Sequence, residues 1–541
     1  MNEQNARTPM GFPASGAASR QMRLFLVCTG LILLLAASLR IYHLAERSLW
    51  LDEAIAANIS RGTLSQTLTL TRDLHSAPIT DPLILYVVEK LSTSPLAVRI
   101  PSFTASVLAI LFMLCFVTIP SIDYKTAGLA ALMLSVSAAQ IRYAQEVREY
   151  SLSVLYATVL LYVFLTYTAK REKTASPIPL YVALFGAPLI QYGLVLFSFG
   201  ILFTLFVFAL IDAERVRRIV QTILASGSLA LGGLASLFLT LRYQWGDDAW
   251  YLKKYFWAPD TSLLRFVLSN THDLLTFVIP GLAAAAISTI AIAICLVTSI
   301  RTRTVSPLAV LTFTSCGIVL ICSLRHLYPY GGIRQCLFLA PVVCLFASES
   351  VVQVVNKLST RAAPLVFATV ICVVIVSGAL QIRLVKPYME VEDMQQVLRS
   401  LQAHVQPGDN VYIYPGAVFA VDFYVKERDP RFIYGDYHQQ TPEKYVPEMM
   451  NGLGSKTNRL WIVFSHVYRD EDRHILRDLN RDWDVEPVLS ATGAALYLAT
   501  RRTAGPSDNA TEAIKNTPAI PDHTHDSFWE WNVRNSRHPA N

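Results

Sequence analysis

The first 383 residues of this chain are mostly apolar runs separated by short polar stretches, and that spacing leaves few folds open. A bilayer core takes about 20 apolar helical residues per crossing, and every backbone polar group inside it must be satisfied within the helix. By that rule the runs at 24–42, 100–119, 126–142, 150–169, 177–190, 192–211, 219–241, 276–299, 306–323, 335–350 and 364–383 predict about eleven transmembrane helices. With 53% hydrophobic and only 16% charged residues among 541, and a mean hydropathy of +0.39, a soluble globular chain is excluded. Residues 24–37 follow Arg20 and Arg23 and also suit a cleaved signal peptide. Such a signal usually precedes a soluble mature domain, so an uncleaved first span is the expectation.

The basic residues sort by loop. Arg20/Arg23, Lys125, Lys170/Arg171/Lys173, Arg215/Arg217/Arg218, Arg301/Arg303 and Lys357/Arg361 all fall on one side, as the cytoplasmic side of a membrane protein requires. Residues 1–23 then form a cytoplasmic tail, and everything after 383 lies outside. The net charge of +6 reports this orientation and does not point to nucleic acid. The eight cysteines lie within apolar segments without metal-ligand spacing and read as packing residues.

Polar chemistry gathers in the exterior loops. Residues 43–99 open with SLWLDEA at 48–54, which sets Asp52 and Glu53 beside Trp50 where a helix leaves the hydrocarbon. Ionisable groups at that boundary serve a substrate or an ion path; the competing reading is an interfacial helix with an aromatic anchor. Residues 143–150, YAQEVREY, supply Glu146, Arg148 and Tyr150. Residues 242–275 supply Lys253 and Lys254, and RHLYPYGGIR at 325–334 supplies Arg325, His326, Tyr330 and Arg334. Arg148 serves equally as an ion-pair partner of Glu146 or Glu149, the tyrosines as belt residues and His326 as a structural histidine. His75 and Asp81 are a candidate pair for a divalent cation, but two ligands do not make a metal site, and no cofactor is required.

After residue 383 the composition becomes that of a soluble domain. Helical and strand-like stretches alternate over 384–502, with strands at 411–414, 431–434, 460–465, 484–489 and 494–500, and predict a small α/β domain with a partly parallel sheet. Residues 503–541, rich in Pro, Thr, Asn, Asp and His, are expected to be disordered.

SLWLDEA at 48–54, VRIPSFTASVLAIL at 98–111, SAAQIRYAQEVREYSLSVLY at 137–156 and YPYGGIRQCLFLAP at 328–341 together resemble the GT-C superfamily of membrane glycosyltransferases. Within it the chain is similar to the family 39-like branch of protein O-mannosyltransferases, the aminoarabinose transferase and rhizobial galacturonosyltransferases. The pattern departs at Thr80-Asp81-Pro82-Leu83, where bacterial members carry a His-Pro-Pro-Leu element, and at Gln191-Tyr192, where a His-Tyr pair is usual.

The resemblance implies a GT-C-like transmembrane domain over 24–383, with a catalytic first exterior loop at 43–99. It implies inverting transfer of a hexose or pentose from a polyprenyl-phosphate donor to a hydroxyl of a lipid, cell-envelope glycan or protein. The location implied is the outer face of a bacterial inner membrane. In that chemistry Asp52 is the base, while Glu53 positions the acceptor or holds a basic residue. Arg148 and Arg334 meet the lipid phosphate, with Arg325, Lys253 and Lys254 behind them. The rival readings are a lipid-linked glycan flippase and a non-catalytic envelope assembly protein. A flippase would carry intramembrane charges or broken helices, and an assembly protein leaves the four polar loops unexplained.

Overall fold

The computed structural model describes residues 17–74, 77–169, 176–212, 214–244, 250–385, 392–426, 429–436, 438, 442–453 and 457–502. The tail expected at 503–541, most of that at 1–23, His75 and the loop Lys170/Arg171/Lys173 lie outside the described residues.

The chain is mostly helical. A long apolar helix, α1 (Ala17–Ile41), leads into three short helices, α2 (Leu51–Ile59), α3 (Leu64–Leu74) and α4 (Thr80–Leu91), in the segment before the next apolar helix. The apolar helices continue with α5 (Pro95–Cys115), α6 (Tyr124–Val136), a short α7 (Ala138–Ala144), α8 (Tyr150–Ala169), α9 (Ile178–Ile190), α10 (Gly193–Leu210) and α11 (Arg215–Ser236). A π turn carries α11 into α12 (Arg242–Gln244), followed by α13 (Leu263–Val278), α14 (Gly281–Thr302), α15 (Pro307–Leu324), α16 (Ala340–Val355) and α17 (Ala362–Val385). Among the described residues nine helices are long and apolar enough to cross a membrane, and two shorter apolar ones, Tyr124–Val136 and Ile178–Ile190, complete the eleven runs read from the sequence. The chain is a multi-pass membrane protein. Its central helix is α16, with 83% of its apolar window buried by protein, whereas α1 at 11% and α17 at 17% face outward.

Two runs are divided differently from the expectation. The run 126–142 breaks at Ser137, which is extended at φ −69° and ψ 123°. The break is held by Arg40, fully buried, whose guanidinium donates to the carbonyls of Leu134 and Ser135, both at 2.9 Å, and to Ser106 Oγ at 2.7 Å. Those carbonyls belong to the last turn of α6, where no intrahelical partner exists. The run 276–299 begins only at Gly281: Pro280 has no N–H to continue the preceding helix, and Ile279 before it is extended.

The C-terminal region folds as an α/β layer domain. Its elements are α18 (Met394–His404), β1 (Asn410–Ile413), α19 (Val418–Tyr424), β2 (Phe432–Tyr434), α20 (Tyr445–Asn451), β3 (Arg459–Ser465), α21 (Glu471–Leu479), β4 (Trp483–Ala491) and β5 (Ala494–Arg501). The sheet order is β2-β1-β3-β5-β4, with β1 parallel to β2 and β3, and β5 antiparallel to β3 and β4. Strands β1 and β3 are apolar along their length because both faces are covered. On one face Val411, Ile413, Trp461 and Val463 share a core with α18, α19 and also Leu49, Ala54 and Ala57 of the segment between α1 and α3. The sheet domain is therefore packed directly onto α2.

Candidate active site

Helix α2 starts at the end of SLWL, with Trp50 extended and Asp52 and Glu53 in its first turn, where the helix dipole favours anions. Successive residues of a helix point about 100° apart, and the two carboxylates go to different partners. Glu53 is fully buried. Its Oε1 accepts from Arg99 Nε at 3.1 Å and from the Val147 N–H at 2.9 Å, and its Oε2 accepts from Arg99 Nη2 at 2.8 Å. Burial alone would raise this carboxyl, but Arg99 and Arg47 beside it hold it below the usual value. Arg99 also donates to the carbonyls of Leu44, Arg47 and Ser48, so the pair ties α5 to the lead-in of α2 and to the 143–150 segment.

Asp52 is only 1% exposed and faces two arginines: its Oδ2 lies 3.1 Å from Arg334 Nη1 and 3.6 Å from Arg148 Nη1. These are charge contacts, and no aligned hydrogen bond reaches Oδ2. The Arg334 guanidinium lies over the Trp50 and Tyr150 rings, 5.6 Å from each centroid, and that of Arg148 lies over Tyr150 at 5.7 Å. Arg334 reaches this point because Gly331 and Gly332 let the loop between α15 and α16 press against α13. A Cβ at Gly331, where φ is +144°, would stand 2.7 Å from Asn270 Oδ1, and one at Gly332 would stand 2.7 Å from the Asp273 carbonyl.

The 143–150 segment is pinned on all sides. Gln145 Nε2 donates to the carbonyls of Arg40 and Tyr42, Ser102 Oγ to the Arg148 carbonyl and Ser151 Oγ to the Tyr143 carbonyl. Glu146 is buried and pairs with Arg142 Nε at 3.1 Å, leaving Oε2 without a hydrogen-bond partner. Glu149 Oε2 lies 3.3 Å from Arg148 Nε. Asp81, at the start of α4, is 5% exposed with an unpartnered Oδ2. Burial first, and the Glu149 charge second, push its carboxyl up to about 7 against the pull of Arg148.

Of the residues singled out in the sequence, the structure brings Asp52, Glu53, Glu146, Arg148, Tyr150 and Arg334 into one buried neighbourhood. Tyr330 is buried nearby but bonds Thr271 through its hydroxyl at 2.9 Å. Lys253, Lys254, Arg325 and His326 are exposed and do not join Asp52. Their loops instead pair with each other: the Tyr330 N–H and Ser323 Oγ donate to the Tyr255 carbonyl, His326 contacts the Trp257 carbonyl, and Lys254 lies over Tyr255. Arg99, at the head of a span, does not stand out in the sequence as a site residue, Glu149 figures there only as an ion-pair partner of Arg148, and Asp81 only beside His75 as a cation ligand. The signal for Asp81 was its place in the departing Thr80-Asp81-Pro82-Leu83 element. Among the described residues no group of three or more His, Cys, Asp or Glu side chains converges to hold a metal ion.

No family model matches the chain, and no curated protein does. Solved structures do. ArnT from Cupriavidus metallidurans in the apo state superposes with a TM-score of 0.54 at 13% identity, covering 91% of this chain and 100% of ArnT. The same protein bound to undecaprenyl phosphate gives 0.51 at 14% identity over the same shares. The archaeal oligosaccharyltransferase AglB from Archaeoglobus fulgidus, in complex with an inhibitory peptide and a dolichol-phosphate, gives 0.51 at 10% identity, covering 89% of this chain and 75% of AglB. The chain has the fold of the GT-C membrane glycosyltransferases, with a small sheet domain after the last membrane helix.

Proposed function

We propose that the chain transfers a sugar, a hexose or pentose, from a polyprenyl-phosphate donor to an acceptor hydroxyl, with inversion at the anomeric carbon. The acceptor is a lipid, an envelope glycan or a protein. The site and the C-terminal domain face the outside of a bacterial inner membrane, with the N-terminus in the cytoplasm. The observation that carries this reading is the contrast between the two neighbouring carboxylates. Glu53 is saturated by aligned donors and serves the structure, whereas Asp52 holds a buried oxygen that no aligned donor occupies, beside two guanidiniums. The solved relatives in fold that hold undecaprenyl phosphate and dolichol-phosphate favour a lipid phosphate as the ligand.

In the reaction the acceptor oxygen attacks the anomeric carbon as the bond to the phosphate oxygen breaks. The electron pair leaves with the phosphate, and the hydroxyl proton passes to Asp52 as the new bond forms. Arg148 and Arg334 receive the leaving phosphate, a task suited to permanently charged forked donors. Burial of the site strengthens these interactions. Base and phosphate clamp both come from the chain's own side chains.

The test is sugar transfer from radiolabelled polyprenyl-phosphate sugars in membranes, comparing wild type with Asp52→Asn at matched expression. Loss of transfer with donor binding intact supports the assignment. Undiminished transfer removes Asp52 from the role of base, and no transfer by wild type from any polyprenyl donor sinks the reading.

A further inference from the structure

Helix α2, which carries Asp52, caps itself only in part: its own Glu53 Oε2 accepts from the Trp50 N–H at 3.4 Å, and no N-cap side chain serves the first-turn N–H groups. The residue at its N-cap is Trp50, whose indole has no acceptor to offer the first-turn N–H groups. The Leu51 N–H is met instead by Oε2 of Glu392 at 3.0 Å, from the C-terminal domain. Glu392 is itself fixed at every oxygen. Its Oε2 also accepts from Ser465 Oγ at 3.2 Å, its Oε1 lies 2.5 Å from His466 Nδ1, and it is 2% exposed. Ser465 ends β3, and His466 follows in a left-handed conformation at φ 48°, a backbone state that a side chain with a Cβ seldom adopts.

The place of this contact in the sheet matters. Strand β1 lies between β2 and β3 and runs parallel to both, so the carboxyl ends of β1 and β3 mark the point where the winding reverses. Open α/β sheets bind their ligands in the crevice there. In this chain Gly416, just after β1, approaches the Ser465 and His466 carbonyls so closely that a Cβ would stand 2.4 and 2.5 Å from them. The end of β3 then holds Glu392, and through it the first turn of α2. Two further contacts run alongside: the Leu49 N–H donates to the Tyr424 hydroxyl at 2.8 Å, and Ser48 Oγ donates to Asp393 Oδ1 at 2.8 Å.

We infer that Glu392 is a positioning residue for Asp52, and that the C-terminal domain uses its switch-point end to set the first turn of the catalytic helix. The functional half of this inference rests on the reading of Asp52 as the base.

The experiment uses the full chain in detergent or nanodiscs, with Glu392→Ala and Glu392→Gln. Hydrogen exchange followed by mass spectrometry reports residues 48–55 and, separately, β1 and β3, while transfer assays give kcat and donor KM. The expectation for Glu392→Ala is about tenfold faster exchange at 48–55 with the strands still protected. Its kcat should fall about tenfold to a hundredfold, as expected for a misplaced catalytic group, with donor KM little changed. Glu392→Gln keeps an acceptor for the Leu51 N–H and falls between wild type and Glu392→Ala in both readouts. Unchanged exchange at 48–55 overturns the inference, and so does deprotection spreading equally through β1 and β3, or a loosened 48–55 with normal kcat. If wild type transfers no sugar, the proposed function fails, and the exchange data still decide whether Glu392 holds α2.

Discussion

Arg99 and Glu53 meet as a bidentate pair, Nε to Oε1 at 3.1 Å and Nη2 to Oε2 at 2.8 Å, with neither side chain reached by solvent. The pair joins the first turn of α2 to α5, and Glu53 also receives the Val147 N–H from the segment that carries Arg148. Three sequence-distant pieces of the site are thus referenced to one carboxylate, and Asp52, one residue earlier, inherits its direction from that anchor.

Removing one partner of such a pair leaves a buried uncompensated charge, at a cost of about 3–5 kcal/mol. Glu53→Gln is expected to lower the thermal unfolding temperature in detergent and the yield of folded protein. Glu53→Leu combined with Arg99→Met recovers much of the loss. Because the folded Glu53 carboxyl sits below its ordinary value of 4.5, its contribution is present at neutral pH and disappears as pH falls through the folded value. An unfolding temperature for Glu53→Gln equal to wild type at pH 7 contradicts this account.

Asp81 predicts the opposite slope. Its carboxyl, ordinarily near 3.8, stands at about 7 in the folded chain, so the folded state holds a proton that the unfolded chain has lost. The stability this proton confers is fully present below 3.8 and is lost as pH rises to about 7. Asn mimics the neutral acid. Two pH units at about 1.4 kcal/mol each give Asp81→Asn a relative gain of about 3 kcal/mol between pH 5 and pH 8. Thermal unfolding of both proteins across that range checks it: parallel curves show that Asp81 does not titrate there.

On the proposed reading Arg148 and Arg334 take the lipid phosphate beside Asp52. A charged hydrogen bond contributes about 1.5–3 kcal/mol, so Arg334→Met is expected to weaken binding of undecaprenyl phosphate about tenfold to a hundredfold. Arg334→Lys recovers only part, because an ammonium replaces a planar fork that also lies over Trp50 and Tyr150. Equilibrium binding with purified protein measures this, and unaltered affinity in Arg334→Met moves the phosphate away from Asp52.

Much of this arrangement is legible in the chain itself, for physical reasons. Apolar length reveals the helices, and SLWLDEA, YAQEVREY and YPYGGIR mark by their polarity three segments that do converge. Strand alternation and turn residues give the sheet, down to its mixed direction. Local pattern carries no information on long-range pairing. Nothing near Leu51 announces that Glu392 will meet its N–H, and the head of the 98–111 stretch does not say that Arg99 will meet Glu53. Polarity alone also overcounts, since Lys253, Lys254, Arg325 and His326 share the polar character of the site segments. One backbone and two side-chain hydrogen bonds join their two loops, and no ion pair among the described residues links them to Asp52.

The same limit applies to Arg40, near the end of the 24–42 run, which the structure buries with no carboxylate paired to it among the described residues. Its guanidinium is satisfied by the Ala36, Leu134 and Ser135 carbonyls and by Ser106 Oγ. It thereby closes the last turn of α6 and lets the chain turn at Ser137 into α7, the helix that delivers Arg142 and the 143–150 segment. Arg40→Met removes a buried charge, which is favourable, and orphans two carbonyls at about 1–3 kcal/mol each. The net expectation is a loss of roughly 2 kcal/mol in stability, smaller than for Glu53→Gln. Activity should fall further than stability does, because α6 can lengthen through Ser137 and carry Arg148 off its contact with Asp52. The measurement is kcat per folded molecule at a temperature where both proteins are fully folded. If Arg40→Met matches wild type there, the break at Ser137 is set by other contacts and Arg40 serves packing alone.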